Sequence, residues 1–180
     1  AIMPTKVPNL YISPGDANLS GVETELMAGG RAQFRLRDAV AQFRAESQLN
    51  IDYMLIDCPP SLNVLTVNAL TAADAVLVPL QAEYFALEGL AQLVATINAV
   101  KANLNPTLEI QGVVLTMYDK RTTLSEQVAN EVRTHFPDKV YETVIPRNVR
   151  ISEAPSHGLP AIIYDQNASG SKAYIQLAKE

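Results

Sequence analysis

The stretch Tyr53-Met54-Leu55-Ile56-Asp57-Cys58-Pro59-Pro60-Ser61 runs mostly apolar residues into a lone aspartate and stops at a double proline. A short apolar run bounded by turn residues reads as a strand buried on both faces, as in a parallel sheet. Pro59 and Pro60 cannot donate to a ladder, which places Asp57 at the strand's C-terminal end. That is the edge at which open α/β sheets bind ligands. A carboxylate there is costly to desolvate unless it holds a cation, a water or a donor. A buried strand also ends readily in a helix-capping aspartate, and this segment alone leaves both readings open.

Working outward, strands and helices alternate. Residues 61–72 predict a helix with Ser61 as its cap, and 75–80 (AVLVPL) a second buried strand ending at a proline region. Residues 83–103 carry Leu87, Leu90, Val94 and Ile97, with Leu104 beyond, at three- and four-residue steps and predict a helix. A third strand is expected over 108–117, then a capping box Thr123-x-x-Glu126 opening a helix with Leu124, Val128, Val132 and Phe136 on one stripe. Residues 140–145 predict a fourth strand stopped by Pro146, 160–164 a last short one, and 169–180 a terminal helix. Upstream, 9–13 (NLYIS) reads as a β run closed by Pro14-Gly15-Asp16. Asp16 or Ser20 is placed to cap a helix through Leu26-Met27-Ala28, ended by Gly29-Gly30. A helix over 31–47 has Phe34, Leu36, Val40, Ala41 and Phe43 as its apolar side, with Arg31, Arg35, Arg37 and Arg44 as a solvated face. This alternation predicts one α/β domain over residues 1–180, a doubly wound, mostly parallel sheet with helices on both faces.

Composition narrows the function. With 180 residues and 48% hydrophobic content the chain suits one domain with a sizeable core. No apolar run approaches a bilayer-spanning length. The single cysteine, Cys58, excludes an internal disulfide and fits a reducing cytoplasm; beside Asp57 its thiol pKa should rise, so it reads as packing and not as a nucleophile. With only His135 and His157 besides, a zinc cluster is not expected. His157, in Ser156-His157-Gly158, has no nucleophile-and-acid set around it and reads as a surface or capping residue. A net charge of −5 means that any nucleic-acid contact needs a local basic patch.

Loops leaving parallel strands gather on one edge, here Asp57, Pro79-Leu80-Gln81, Met117-Tyr118-Asp119 and Pro146-Arg147-Asn148. An acid, a polar loop and Arg-bearing loops suit a nucleotide pocket in which Asp57 holds a hydrated Mg²⁺, although ordinary loop residues account for the same spacing.

LIDCPPS followed by LNVLTVNAL (55–70) resembles the Walker B region of the ParA/Soj family, the deviant P-loop ATPases that partition chromosomes and plasmids. The stretches 78–90 (VPLQAEYFALEGL), 113–122 (VVLTMYDKRT), 144–160 (VIPRNVRISEAPSHGLP) and 164–180 (YDQNASGSKAYIQLAKE) resemble the same family. The resemblance implies a P-loop NTPase-type sheet, ATP and Mg²⁺ as ligands, and Asp57 as the Walker B acid near the metal and attacking water. It implies Met117, Tyr118, Pro146, Arg147 and Asn148 at the adenine end. It also implies an ATP-dependent homodimer, non-specific DNA binding through Arg121 and Arg150, and hydrolysis stimulated by a ParB-like partner on the nucleoid. Lys120, Arg147 and Lys172 are secondary DNA candidates, and Glu153 is the structural partner that would otherwise occupy Arg150. Ser152-Glu153-Ala154-Pro155 belongs to a region that would rearrange with nucleotide or partner.

One departure is large. No GxxxxGK[ST] or KGG-type loop occurs in these residues, and Gly29-Gly30-Arg31 lacks the Lys-Ser/Thr pair. The family carries its P-loop on a first strand, so the chain reads as the C-terminal two-thirds or so of such an ATPase, with its sheet incomplete at the N-terminus and an apolar gap exposed. On this reading the chain alone does not hydrolyse ATP. The alternative is a non-catalytic DNA-binding or assembly module derived from the family. A MinD-like membrane-surface ATPase needs a basic amphipathic C-terminal helix, whereas 171–180 is nearly neutral. A dinucleotide-binding Rossmann enzyme lacks its GxGxxG loop.

Overall fold

The computed structural model describes residues 2–15, 30–59, 61 and 63–180. The expected turn at Asp16, the cap at Ser20, the helix through Leu26-Met27-Ala28 and Pro60 lie outside the described residues. The chain forms two compact units, Ala1–Ala72 and Ala73–Glu180.

In the first unit, β1 (Met3–Pro4) pairs antiparallel with β2 (Tyr11–Ile12). Asn9, at φ 62°, turns the loop, and Thr5 Oγ1 accepts from Val7 N at 3.0 Å. The NLYIS run is therefore extended as expected, but in a small antiparallel ribbon. A 3-10 turn (Ala32–Phe34) leads into α1 (Arg35–Glu46), where Phe34, Leu36, Val40 and Phe43 are half-buried and Ala41 is exposed. Arg37 stacks over the Phe34 ring at 4.4 Å and meets Asp38 at 3.3 Å, so the basic face is at the surface. α2 (Val64–Ala72) is capped by Asn63, whose Oδ1 accepts from Leu65 N and Thr66 N at 3.1 Å. Ser61, the expected cap, instead lends its carbonyl to Thr66 Oγ1 at 2.6 Å. Buried Asn68 donates to Ala32 O at 2.8 Å and accepts from Leu36 N at 3.1 Å, joining α2 to the 3-10 turn and α1.

The expected strand over 53–57 does not form. Residues 53–59 have no regular structure, and Tyr53 and Leu55 are 87% and 92% exposed. A strand covered on both faces needs neighbours to pair with, and this segment pairs with none among the described residues. Its apolar content is an unsatisfied strand signal. Cys58 is likewise exposed rather than packed, its Sγ 3.7 Å from Ile56 O, and its thiol pKa is raised by desolvation first and by Asp57 second.

The second unit holds the parallel sheet. β3 (Ala75–Gln81) runs beside β4 (Glu109–Thr116), from Ala75 opposite Glu109 to Gln81 opposite Thr116, with an irregularity between Val76 and Leu77. α3 (Ala86–Asn103) is the crossover between them and buries Leu90, Ile97 and Val100. On its other side β4 bonds an extended segment. Val113 N donates to Lys139 O, Tyr141 N to Val113 O, Ile145 N to Leu115 O and Arg147 N to Tyr118 O. The expected fourth strand is thus a parallel neighbour held by single bridges at Val140 and Pro146. Gly112 sits where an added Cβ would run into the Tyr141 ring and lie 3.1 Å from Lys139 O. α4 (Thr123–His135) packs Val128, Ala129 and Val132 onto Val78, Leu90, Val113 and Leu115.

Two local expectations are corrected. The N-cap of α4 is Thr122, not Thr123, and its hydroxyl donates to Asp119 O and Ser125 Oγ, so no capping box forms. Residues 160–164 are not a strand: the chain makes α5 (Val149–Glu153), a 3-10 turn (Ala154–His157), α6 (Ala161–Tyr164) and α7 (Ser169–Leu177). Pro160, at φ −59°, accepts from Ile163 N and Tyr164 N at 2.9 Å, and a four-residue apolar run with no pairing edge takes the helical turn. Glu180 accepts from Glu142 N and Thr143 N, tying the C-terminus to the extended segment. No helix among the described residues is long and apolar enough to cross a membrane.

Leu115 is fully buried, so Leu115→Ala should lower stability by about 2–5 kcal/mol in chemical denaturation. Leu124→Ala, at a 42% exposed position on the same unit, should stay within about 0.5 kcal/mol.

Candidate functional site

The loops at the C-terminal ends of β3 and β4 build the site. β4 ends at Thr116, and the next residue, Met117, has φ 52°, a left-handed backbone that a Met adopts only at a cost of about 1 kcal/mol or more and that breaks the strand direction. Tyr118 is then gripped by the neighbouring segment, its N–H donating to Ile145 O and its carbonyl accepting from Arg147 N, both at 3.1 Å. This exchange brings Tyr118, Pro146, Arg147 and Asn148 around a groove of about 800 Å³ that Lys120, Arg121, Ser169 and Lys172 also line. Four of the five expected adenine-end residues therefore share one wall. Met117 lines an adjoining groove of about 860 Å³ with Leu80, Phe85 and Leu124. Asp57 lies in the first unit, exposed, in the irregular 53–59 segment.

Electrostatically the groove is less basic than its residue list. Arg121 forms a two-pronged pair with Asp119, Nε to Oδ1 at 2.9 Å and an Nη to Oδ2 at 2.7 Å, and its backbone N–H donates to the same carboxylate. The hydrogen bonds from Arg121 hold the Asp119 carboxyl well below the usual carboxylate range and raise the guanidinium in return. Arg147 reaches Glu83 at 3.5 Å. Arg150 lines neither groove: on α5 it meets Glu153 at 2.9 Å and Asp165 at 3.5 Å, so the structural partner foreseen for it is present. Asn148 caps α5, its Oδ1 accepting from Arg150 N and Ile151 N, while its Nδ2 donates to Ser169 Oγ at 2.8 Å. His157 stacks on Tyr164 with centroids 4.8 Å apart, a surface role as read from the sequence.

The residues fit an adenine nucleotide in kind: an aromatic ring, a proline, an amide and cations on one wall at a sheet edge. No group of three or more His, Cys, Asp or Glu converges for a metal among the described residues. Sequence reasoning missed Tyr84 and Phe85, which are 75% and 73% exposed, stand edge to face at 5.1 Å and line the adjoining groove. The signal was present: two aromatics side by side just before a helix do not both fit its buried stripe.

Residues 1–110 match a family model described as an AAA domain. The chain is 63% identical over 180 residues to the chromosome partitioning protein ParA of Caulobacter vibrioides, covering all of this chain and 67% of that protein. It is 52% identical to the sporulation initiation inhibitor protein Soj of Bacillus subtilis, covering 99% of this chain and 69% of that protein. Among solved structures it is similar to cobyrinic acid a,c-diamide synthase of Mycobacterium smegmatis with bound ATP analog and magnesium, at 34% identity and TM-score 0.78, over 94% of this chain and 61% of that one. A plasmid partition protein of Borrelia burgdorferi bound to AMPPNP shares the fold at 22% identity and TM-score 0.80, over 99% of this chain and 66% of that one. The chain thus spans about two thirds of the curated relatives it matches.

The Asp119 carboxyl should titrate below the ordinary range in NMR and move back toward it in Arg121→Ala, because Arg121 is the main cause of the shift. A pKa lowered in the fold stabilises above the unfolded carboxylate value and loses that contribution as pH falls through the folded one. The Asp119 contribution should accordingly vanish only in strong acid.

Proposed function

The chain belongs to the ParA/Soj family of chromosome-partitioning ATPases, and we propose that its groove at Tyr118, Pro146, Arg147 and Asn148 receives the adenine of ATP. The observation that carries this reading is the convergence of those four residues on one wall at the C-terminal edge of a parallel sheet. In the whole protein, Asp57 would hold Mg²⁺ and the attacking water, and Met117 would shape the loop beneath the base. Both compact units would then belong to one α/β domain. ATP would bring two copies together, the dimer would bind DNA without sequence preference in the cytoplasm, and a ParB-like partner would stimulate hydrolysis. Arg121 and Arg150 are proposed as the DNA contacts, with Lys120, Arg147 and Lys172 in support. Phosphate neutralisation by such side chains releases counterions and needs no base reading.

Hydrolysis needs a phosphate cradle, and residues 1–180 contain no P-loop motif, so these residues alone are proposed not to turn over ATP. The second reading is a DNA-binding or assembly module that does not use nucleotide. Fluorescence anisotropy with a non-specific duplex, with and without Mg·ATP, separates the two: nucleotide-dependent binding is expected on the first, indifference on the second. On either reading Arg121→Ala should flatten the dependence of log affinity on log salt by about 0.9. An unchanged slope would remove Arg121 from the interface.

A further inference from the structure

Arg150 is the cation of a fixed, net-negative cluster. One guanidinium faces two carboxylates, Glu153 at 2.9 Å and Asp165 at 3.5 Å. Neither carboxylate is a wandering surface partner. Glu153 Oε2, which takes the Arg150 bond, also accepts from Tyr164 OH at 3.3 Å, and the Tyr164 ring is stacked on His157. Asp165 uses its other oxygen, Oδ1, to accept from Asn167 N at 3.0 Å and Ala168 N at 3.1 Å in the turn before α7, which aims Oδ2 at Arg150 Nε. Arg150 itself is anchored through its backbone N–H on Asn148 Oδ1 at 2.9 Å. Its side chain is nevertheless 55% exposed, so an approaching phosphate can reach it but meets the two carboxylates beside it. Arg121 differs, since it is matched one to one by Asp119.

We infer that Glu153 and Asp165 form a carboxylate clamp that withholds the Arg150 guanidinium from DNA phosphate, so that opening the clamp strengthens DNA binding. This rests on the reading of Arg150 as a DNA contact. Asp165 lies in the turn that joins α6 to α7 and is released by a shift of that turn against α5, whereas Glu153 shares α5 with Arg150 and is released by a change of side-chain rotamer. Phosphate then replaces carboxylate at the same N–H groups.

Two conservative changes test it with little cost to the fold. Glu153→Gln keeps an acceptor for Tyr164, and Asp165→Asn keeps Oδ1 for the turn, while both remove charge. Anisotropy titrations with a non-specific duplex across a salt series, with and without Mg·ATP, compare the parent chain, R150A, E153Q/D165N and R150A/E153Q/D165N, with folding checked by circular dichroism. E153Q/D165N is expected to bind about two- to fivefold tighter, the range of exposed ion pairs. Its salt slope should steepen by about 0.9, one added phosphate contact. The gain should disappear when R150A is added. Unchanged affinity and slope in E153Q/D165N overturn the clamp, as does a gain that survives loss of Arg150, which would be a general charge effect. R150A alone reports separately on the DNA reading: if it weakens binding while E153Q/D165N gains nothing, Arg150 touches DNA and the clamp is wrong. If neither variant changes binding, both fail.

Discussion

The second unit depends on β4 being hydrogen-bonded along both edges. β3 lies parallel on one side and the extended 139–147 segment on the other, and the side chains between them, Val113 and Leu115, are 1% and 0% exposed. A parallel strand satisfies its slanted backbone bonds only with neighbours on both sides and needs cover on its faces, and α3 and α4 cover the face that carries Val113 and Leu115. From that constraint the rest follows. With β4 fixed, Tyr118 must leave the sheet beside Pro146, and the loops that carry Asp119, Arg121, Arg147 and Asn148 are brought to one edge.

A second constraint is electrostatic. At a net charge of −5 the chain does not keep its exposed guanidiniums unpaired at this edge: Asp119 takes Arg121, Glu83 takes Arg147, and Glu153 with Asp165 takes Arg150. Surface pairs of this kind contribute little to folding. Their consequence lies in availability, because each pair must open before its arginine meets a phosphate. The groove is therefore basic by composition, and two of its four cations, Arg121 and Arg147, are already engaged by carboxylates.

Much of this was legible in the residues. The three- and four-residue spacing over 83–103 identified α3, and apolar runs with β-branched residues identified β3 and β4 to within a residue or two. Family-like stretches singled out Met117, Tyr118, Pro146, Arg147 and Asn148; the last four line one groove and Met117 lines the adjoining one. What failed did so for physical reasons. Residues 53–57 have strand composition but no pairing partner among the described residues, and a one-dimensional pattern does not state who pairs with whom. Residues 160–164 are too short for periodicity to separate strand from helical turn, and Pro160 decided it. The cap at Thr122 and the Asp119–Arg121 fork depend on loop geometry, which composition does not encode.

An adenine nucleotide is proposed to sit at the edge beyond β3 and β4. Amide chemical-shift mapping of the isotope-labelled chain with Mg·ATP tests it most directly. Shifts are expected to concentrate at Tyr118, Arg147 and Asn148 (Pro146 has no N–H), with the exposed face of α1 around Arg37 unmoved. Shifts gathered on α1 or spread elsewhere, with those three amides silent at saturating nucleotide, would contradict it.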